Sequence, residues 1–250
     1  MRFLPWWRGQ RSSDPAGNRL ARFRNIVEAA QSVSLYAATL RAAGLDNPRA
    51  LSRIVDINST LLKLGVVTLE QLRTRPRRDS RSPVIFASPL SAGFSPELFW
   101  NRSGCNILEE KSLSSRGARA LFIRIGFDEG LLSPLERDGL WQRHGIPMFE
   151  HLVGMDGQLL AWECETHQGL HVVEDNGVFE SVQGELLLTS LTDLAQPTLQ
   201  LRTGWSATIE TEPCDCGRPG PRLIGLREAN ARPSTSHRLL DGLAAAAHSS

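Results

Sequence analysis

The stretch PCDCGRPGPRL, residues 213–223, sets Cys214 and Cys216 one residue apart, ahead of Gly217, Arg218 and two further prolines. A C-x-C in a chain of four cysteines is half of a metal site, a redox pair, or an incidental spacing. A disulfide across a single intervening residue strains the bond geometry, so a redox pair ranks low. The segment CETHQGLH, residues 164–171, supplies Cys164, His167 and His171 between two expected strands. A tight loop there brings the end of one strand close to the start of the next. Three thiolates and one imidazole make a set that closes a tetrahedral zinc site. His167 lies three residues after Cys164 and His171 seven after it. Either completes the set, and His171 is favoured. The expected ligands are therefore Cys164, His171, Cys214 and Cys216, with His167 as the alternate. Against this stands the spacing itself, since C-x₂-C is the commoner knuckle and two nearby histidines arise by chance in many chains. Cys105 has no cysteine or histidine near it and reads as an ordinary core or loop residue.

Four cysteines in 250 residues exclude a disulfide-rich secreted scaffold. Thiols kept reduced in a cytoplasmic chain are the expectation. With 28 basic and 27 acidic residues and a net charge of +1, no global field selects a nucleic acid or an anionic membrane. The basic run RTRPRRDSR, residues 73–81, is broken by Pro76 and Asp79 and reads as a solvated linker. No apolar run reaches the ~20 residues of a membrane span. The start MRFLPWWRGQRSSDP lacks the long apolar centre of a signal peptide.

Residues 1–17 read as an unstructured lead, with Trp6 and Trp7 free to pack on the body or a partner. Residues 18–73 read as a helical segment. Leu20, Phe23, Ile26, Val27 and Ala30 fall at helical spacing. A second helix is expected over 34–43 with Gly44 as its C-cap, then an apolar segment through Leu61, Leu62 and Leu64. Thr68 and Gln71 form a capping-box pair. A linker follows at 74–82. Residues 83–146 read as a reduced α/β core, with PVIFAS (83–88) and ALFIRIG (120–126) as buried strands and Ser133-Pro134 opening a helix. Residues 147–230 change to short strands with turns: MFEHLV, GQLLAWEC, GLHVVED, VFESV, GELLLTSL, PTLQLRT, WSATIET and RLIGL. Residues 231–250 read as a tail. The fold class is α/β to α+β: N-terminal helices, a reduced central sheet and a β-rich, zinc-stapled C-terminal subdomain.

The stretch ECETHQGLHVVED…GELLLTSLTDLAQPTLQLRTG…EPCDCGRPGPRL resembles the phenylacetate–CoA ligase family, a branch of the adenylate-forming, AMP-binding enzymes. Members carry a pattern like C-E-x-x-x-G-L-H-V…G-E-L-V-x-T…R-T-G-D…C-P-C-G-R, and some bind a structural zinc through these cysteines and histidine. RDGLWQRHGIPMFEHLVGMD is similar to the segment leading into the family's Y-G-x-T/S-E motif. Residues 19–73 resemble its N-terminal helices.

The departures from the pattern concern chemistry. The resemblance implies a Ser/Thr/Gly-rich loop whose backbone N–H groups wrap the ATP phosphates; the nearest stretch, SPLSAGFSPE at 88–97, has one glycine and no lysine. The Y-G-x-T/S-E motif stands as Leu152-Val-Gly154-Met-Asp156, without the adenine-stacking aromatic and with the shorter acid at the Mg²⁺-holding position. The R-T-G-D motif stands as Arg202-Thr203-Gly204-Trp205, where an indole replaces the ribose-gripping acid. The family's C-terminal lid carries a catalytic lysine; after Leu226 this sequence has 24 residues and no lysine. The expectation is a chain without the lid and with Gly154, Asp156, Arg202, Thr203, Gly204 and Trp205 as remnants of a nucleotide site. No catalytic residue is named, and the losses argue against ATP, Mg²⁺ and CoA as cofactors. The leading function is a degenerate relative unable to adenylate alone, serving as a binding or accessory protein with a protein partner or a second copy of itself. The alternative is a carboxylate–CoA ligase with a remodelled site or partner-supplied parts. A zinc-ribbon-like nucleic-acid module has no basic face to support it. His144 and His151 read as surface or core-edge histidines, Glu174 and Asp175 as supports of a turn, and Arg218 as either orienting the zinc loop or exposed.

Overall fold

The computed structural model describes residues 15–73, 97–101, 120–127 and 130–229. The PVIFAS strand, the linker 74–82, the stretch 88–96, Cys105 and the tail 231–250 lie outside them.

Helix α1 runs from Pro15 to Gln31. It begins inside the expected lead, because proline at the first turn has no N–H to leave unpaired and its φ already suits a helix. Its spaced apolar residues Phe23, Ile26, Val27 and Ala30 are fully buried. Helix α2, Ser34–Ala42, ends one residue before the expected bound. Ala43 is the cap, and Gly44 follows it at φ +68, letting Leu45 N–H close back on the Leu40 carbonyl at 2.7 Å. Short helices α3 (Pro48–Leu51) and α4 (Ile57–Leu61) are capped by the side chains of Asn47 and Asp56. Leu61 and Leu64 are buried, but Leu62 points to solvent at 80% exposure. β1 (Val67–Thr68) leads into α5 (Leu69–Arg73), where Thr68 and Gln71 exchange backbone N–H bonds with each other's side chains.

β2 is Glu97–Asn101 and β3 is Ala120–Gly126. Helix α6, Pro134–His144, opens with Pro134 at its first turn and a reciprocal box between Ser133 and Glu136, and closes on Gly145 at φ +60. Then follow β4 (Met148–Val153), β5 (Leu159–Glu163), β6 (Leu170–Val172), β7 (Gly177–Val182), β8 (Glu185–Ser190), β9 (Leu201–Arg202), β10 (Trp205–Glu210) and β11 (Arg222–Glu228).

These strands make two mixed sheets. One has seven strands in the order β10-β11-β6-β5-β4-β3-β2, and the other four in the order β1-β9-β8-β7. β2, β3 and β4 are parallel, and the larger sheet turns antiparallel from β4 to β10. β3 and β4 thus pair across the expected 146/147 boundary, so one continuous sheet runs through both segments. The N-terminal segment is likewise joined to the small sheet, through β1 beside β9.

Between the layers lies one apolar core. Leu121, Ile123, Ile125, Leu152 and Leu160 of the large sheet meet Leu186, Leu188 and Leu201 of the small one and Phe23, Ile26 and Leu40 of the helices. Each such side chain contributes roughly 1.5–3 kcal/mol of gross burial. Tyr36 ties the helices in by polar contact as well: its hydroxyl donates to the Pro197 carbonyl (3.0 Å) and accepts from Leu199 N–H (3.2 Å). That contact, with Gln200 at φ +51, takes residues 197–200 out of the ladder, so the seven-residue strand expected over 197–203 is reduced to Leu201–Arg202. A second buried cluster of Ala120, Phe122, Phe149, Leu159 and Trp162 contains Cys164 and Cys214. Among the described residues no helix is long and apolar enough to cross a membrane.

Candidate metal centre

β5 and β6 form an antiparallel hairpin in which Trp162 opposes His171 and Glu163 opposes Leu170. Cys164 leaves the end of β5, and its carbonyl accepts the N–H of His167 at 3.0 Å. Gly169, at φ +92, passes so close to β11 that a Cβ there would lie 2.6 Å from the Leu223 carbonyl oxygen, which only glycine tolerates. The second loop joins β10 to β11. In it Gly217, at φ +76, turns back to donate to the Cys214 carbonyl at 2.8 Å. β11 pairs with β6 through Arg222 opposite His171, and this register brings the two loops together.

The donor atoms of Cys164, His171, Cys214 and Cys216 all lie within 4.8 Å of one another. Cys164 Sγ and Cys214 Sγ are 3.8 Å apart, and Cys216 Sγ is 3.3 Å from His171 Nε2. A tetrahedron with metal–sulfur bonds of ~2.3 Å and metal–nitrogen bonds of ~2.05 Å has edges of about 3.8 and 3.6 Å. The cluster therefore has dimensions suited to a metal ion, and its three sulfurs and one imidazole favour a thiophilic transition metal over Mg²⁺ or Ca²⁺. Three of the four are buried, and Cys216 is half-buried.

Burial pushes the Cys164 thiol up, but bonds from Thr166 and the neighbouring cysteines outweigh it and hold the group below its ordinary value. The same balance, burial against Thr166 and Cys216, lowers Cys214. Cys216 is pushed up to about 11, first by burial and then by the neighbouring thiols, against the bonds from Arg218. Burial and the neighbouring thiols thus resist ionisation of Cys216, and a divalent cation at the cluster would favour it. Thr166 Oγ1 stands 3.0 Å from Cys164 Sγ and 3.2 Å from Cys214 Sγ.

His167 lies outside the cluster. Its Nδ1–H donates to Glu163 at 2.8 Å, its ring stacks on Phe149 at 5.3 Å, and its side chain is 45% exposed. Arg218 donates to Glu165 at 2.6 Å and places its guanidinium 5.1 Å from the Trp162 ring centre, so it is engaged rather than free. His151 sits in the core on β4, 2% exposed, not at its edge. Glu174 receives Arg19, and the Asp175 carbonyl receives Arg22, fastening the turn to α1.

Several residues of the neighbourhood carry no sequence signal. Arg137 of α6 bridges Glu150 and Glu163. Gln168 and Arg222 link the ligand loops. Each depends on strand register, which no local motif encodes.

The positions expected as remnants of a nucleotide site are spread over two turns. Gly154 closes a tight turn with Gln158, and a Cβ on it would lie 2.6 Å from Asp156 Oδ1. Asp156 uses both oxygens: Oδ1 accepts Gln158 N–H at 3.1 Å, and Oδ2 accepts the Thr192 hydroxyl at 2.6 Å. Arg202 is exposed and paired with Glu185 at 3.1 Å. Thr203 is buried, its hydroxyl donating to the Leu186 carbonyl at 2.7 Å and accepting Trp205 N–H at 3.1 Å. Gly204 takes φ +77, which directs Trp205 inward, where it is 4% exposed and stacked on Phe127 at 4.7 Å.

No family model and no curated protein matches the sequence. Solved structures do match by fold. The open conformation of 2-hydroxyisobutyryl-CoA ligase in complex with 2-HIB-AMP and CoA aligns with a TM-score of 0.56 at 14% identity, over 82% of this chain and 72% of that one. The same ligase in its thioesterification state gives 0.57 at 14% identity, over 87% and 69%. Its postadenylation state with 2-HIB-AMP gives 0.55 at 14%, over 82% and 66%. The chain therefore shares the fold of the matched part of these CoA ligase structures.

Proposed function

We propose that the chain is a degenerate relative of the phenylacetate–CoA ligases. On this reading it does not adenylate a carboxylate by itself, and acts as a binding or accessory protein with a structural zinc at Cys164, His171, Cys214 and Cys216. The observation that carries the reading is the burial of Trp205 against Phe127. It occupies the place of the ribose-gripping acid in the motif this sequence resembles, and an indole offers one N–H donor and no acceptor. Asp156 supports the same reading, since both its oxygens are committed to Gln158 and Thr192 rather than open to a magnesium ion. Zinc is favoured by the donor set and by the sulfur–sulfur spacing of 3.8 Å. A cytoplasmic setting, with a protein partner or a second copy of the chain, completes the proposal.

The test is carboxylate-dependent exchange of pyrophosphate into ATP by the purified full chain with Mg²⁺, across arylacetic, hydroxy and aliphatic acids. Exchange at the level of the no-acid control is expected. Clear exchange with any acid overturns the reading in favour of a ligase with a remodelled site.

A further inference from the structure

Arg222 is a buried cation whose partners belong to the metal loops. It opens β11 opposite His171 on β6 and opposite Glu210 on β10. Residues directly opposed in an antiparallel pair project to the same face, so Arg222 leaves the sheet on the face that carries His171. The residue is 6% exposed. One guanidinium nitrogen donates to the Gln168 carbonyl in the first ligand loop at 2.8 Å, and the other to the Glu212 carbonyl in the second at 3.2 Å. Its Nε is buried without a partner among the described residues. Among the described residues no carboxylate makes a direct ion pair with it, although Glu210 opposite feels its charge. Glu210 turns one oxygen to the backbone N–H groups of Thr211 and Glu212 instead. A second tie runs beside it: Gln168 Nε2 donates to Asp215 at 2.6 Å, and Gln168 Oε1 accepts Asp215 N–H at 3.4 Å.

A buried charge without a direct ion-pair partner is costly. Both hydrogen bonds that Arg222 makes go to the loops that carry the ligands, one to each. We infer that Arg222 is the positioning residue of the metal centre. It holds the two ligand loops closed on each other by their carbonyls. The inference rests on the metal reading proposed above.

The experiment follows zinc release to an excess of a chromophoric chelator from the purified full chain, comparing wild type with Arg222→Met, Arg222→Lys and Gln168→Ala. The thiolate-to-cobalt charge-transfer bands of the Co²⁺-loaded forms are recorded in parallel. Loss of an outer partner of a metal ligand costs about 10–100-fold in affinity; Arg222 bonds the loops rather than a ligand, so the low end applies and Arg222→Met is expected to release zinc about tenfold faster. Arg222→Lys keeps the charge but not the fork, and falls between. Gln168 is exposed, so Gln168→Ala is expected to fold; its Oε1 also stands 3.6 Å from Cys214 Sγ, and the variant is expected to release zinc faster than wild type. A folded Arg222→Met that releases at the wild-type rate overturns the inference. If Arg222→Met does not fold, wild-type release from both Arg222→Lys and Gln168→Ala overturns it. A wild-type chain that takes up no metal overturns the metal reading and the inference together, which separates the two failures.

Discussion

Trp162 and His171 stand opposite each other on β5 and β6, their rings stacked at 5.3 Å with planes 28° apart. Arg218, from the second ligand loop, lies against the same indole at 5.1 Å. One aromatic side chain thereby touches a ligand on one loop and the arginine two residues after a ligand on the other. Its emission is expected to respond to the metal. Removing zinc with a chelator should shift or quench tryptophan fluorescence, and Trp162→Phe should abolish most of that change although five other tryptophans remain of the six. The variant is also expected to lose about 1–2 kcal/mol, from a weakened ring stack and a lost cation–π contact. A metal-dependent signal of unchanged size in Trp162→Phe would show that the stack does not couple to the centre.

Removal of single ligands separates the centre from its surroundings. Metal analysis of the wild-type chain should return about one zinc per chain, and a content below about half an equivalent would sink the zinc assignment. Cys164→Ser and Cys214→Ser should drop the content to background, whereas His167→Ala should leave it unchanged, because that imidazole is turned to Glu163 and Phe149. The loops are cross-linked by Gln168–Asp215, Arg218–Glu165 and Arg222, so metal-free protein should keep its sheets rather than unfold as a zinc finger does. Zinc at a thousandfold its Kd adds about 4 kcal/mol. At about 2–4 °C per kcal/mol for a chain of this size, chelation should lower the Tm by roughly 8–16 °C, with far-UV dichroism retained below the transition.

What could be read in the sequence was local, and what could not be read was register. Ser133 and Pro134 announce α6 because a cap and an N1 proline act side by side, and the structure adds Glu136 as a reciprocal acid. MFEHLV and ALFIRIG become β4 and β3 with their expected bounds, since apolar runs of that length between turn residues have few other outcomes. Cys164, His171, Cys214 and Cys216 were found by donor type, and the structure brings them together. PTLQLRT alternates like a strand, yet Tyr36, from a helix 161 residues earlier in the chain, takes the Pro197 carbonyl and the strand is cut short. Arg222 has no motif. Its meaning comes from Gln168, 54 residues away, and from the pairing that sets it opposite His171.

Placing an acid at position 205 tests whether the buried indole alone separates this chain from adenylation. Trp205 is 4% exposed and packs on Phe127. Trp205→Asp removes a large buried side chain, which costs about 3–5 kcal/mol in a core, and leaves a carboxylate in its place, which adds to the loss. The urea midpoint should fall accordingly, with no gain in pyrophosphate exchange. A stable Trp205→Asp that exchanges pyrophosphate with a carboxylate substrate would show that only this indole stood between the chain and adenylation.

Acid should weaken the fold through a buried imidazole on β4, His151. Burial pushes the His151 imidazole down to about 4 from 6.5, against smaller opposing effects of the Phe149 carbonyl and Glu163. Its ring meets the edge of Phe122 at 5.0 Å, and its Nδ1–H donates to the Phe149 carbonyl at 3.3 Å. Between pH 6.5 and about 4 the unfolded chain takes up a proton that the folded chain refuses, so stability rises with pH across that window and falls as the solution is acidified. A shift of this size corresponds to on the order of 3 kcal/mol over the whole window. His151→Leu cannot titrate, so it should be less stable than wild type at pH 7 by the lost hydrogen bond but should lose less on going to pH 5. Zinc is displaced by acid from both proteins alike, so the comparison is made on metal-free chains by urea denaturation at the two pH values. If the stability difference between wild type and variant stays constant from pH 7 to pH 5, His151 is not the group that refuses the proton.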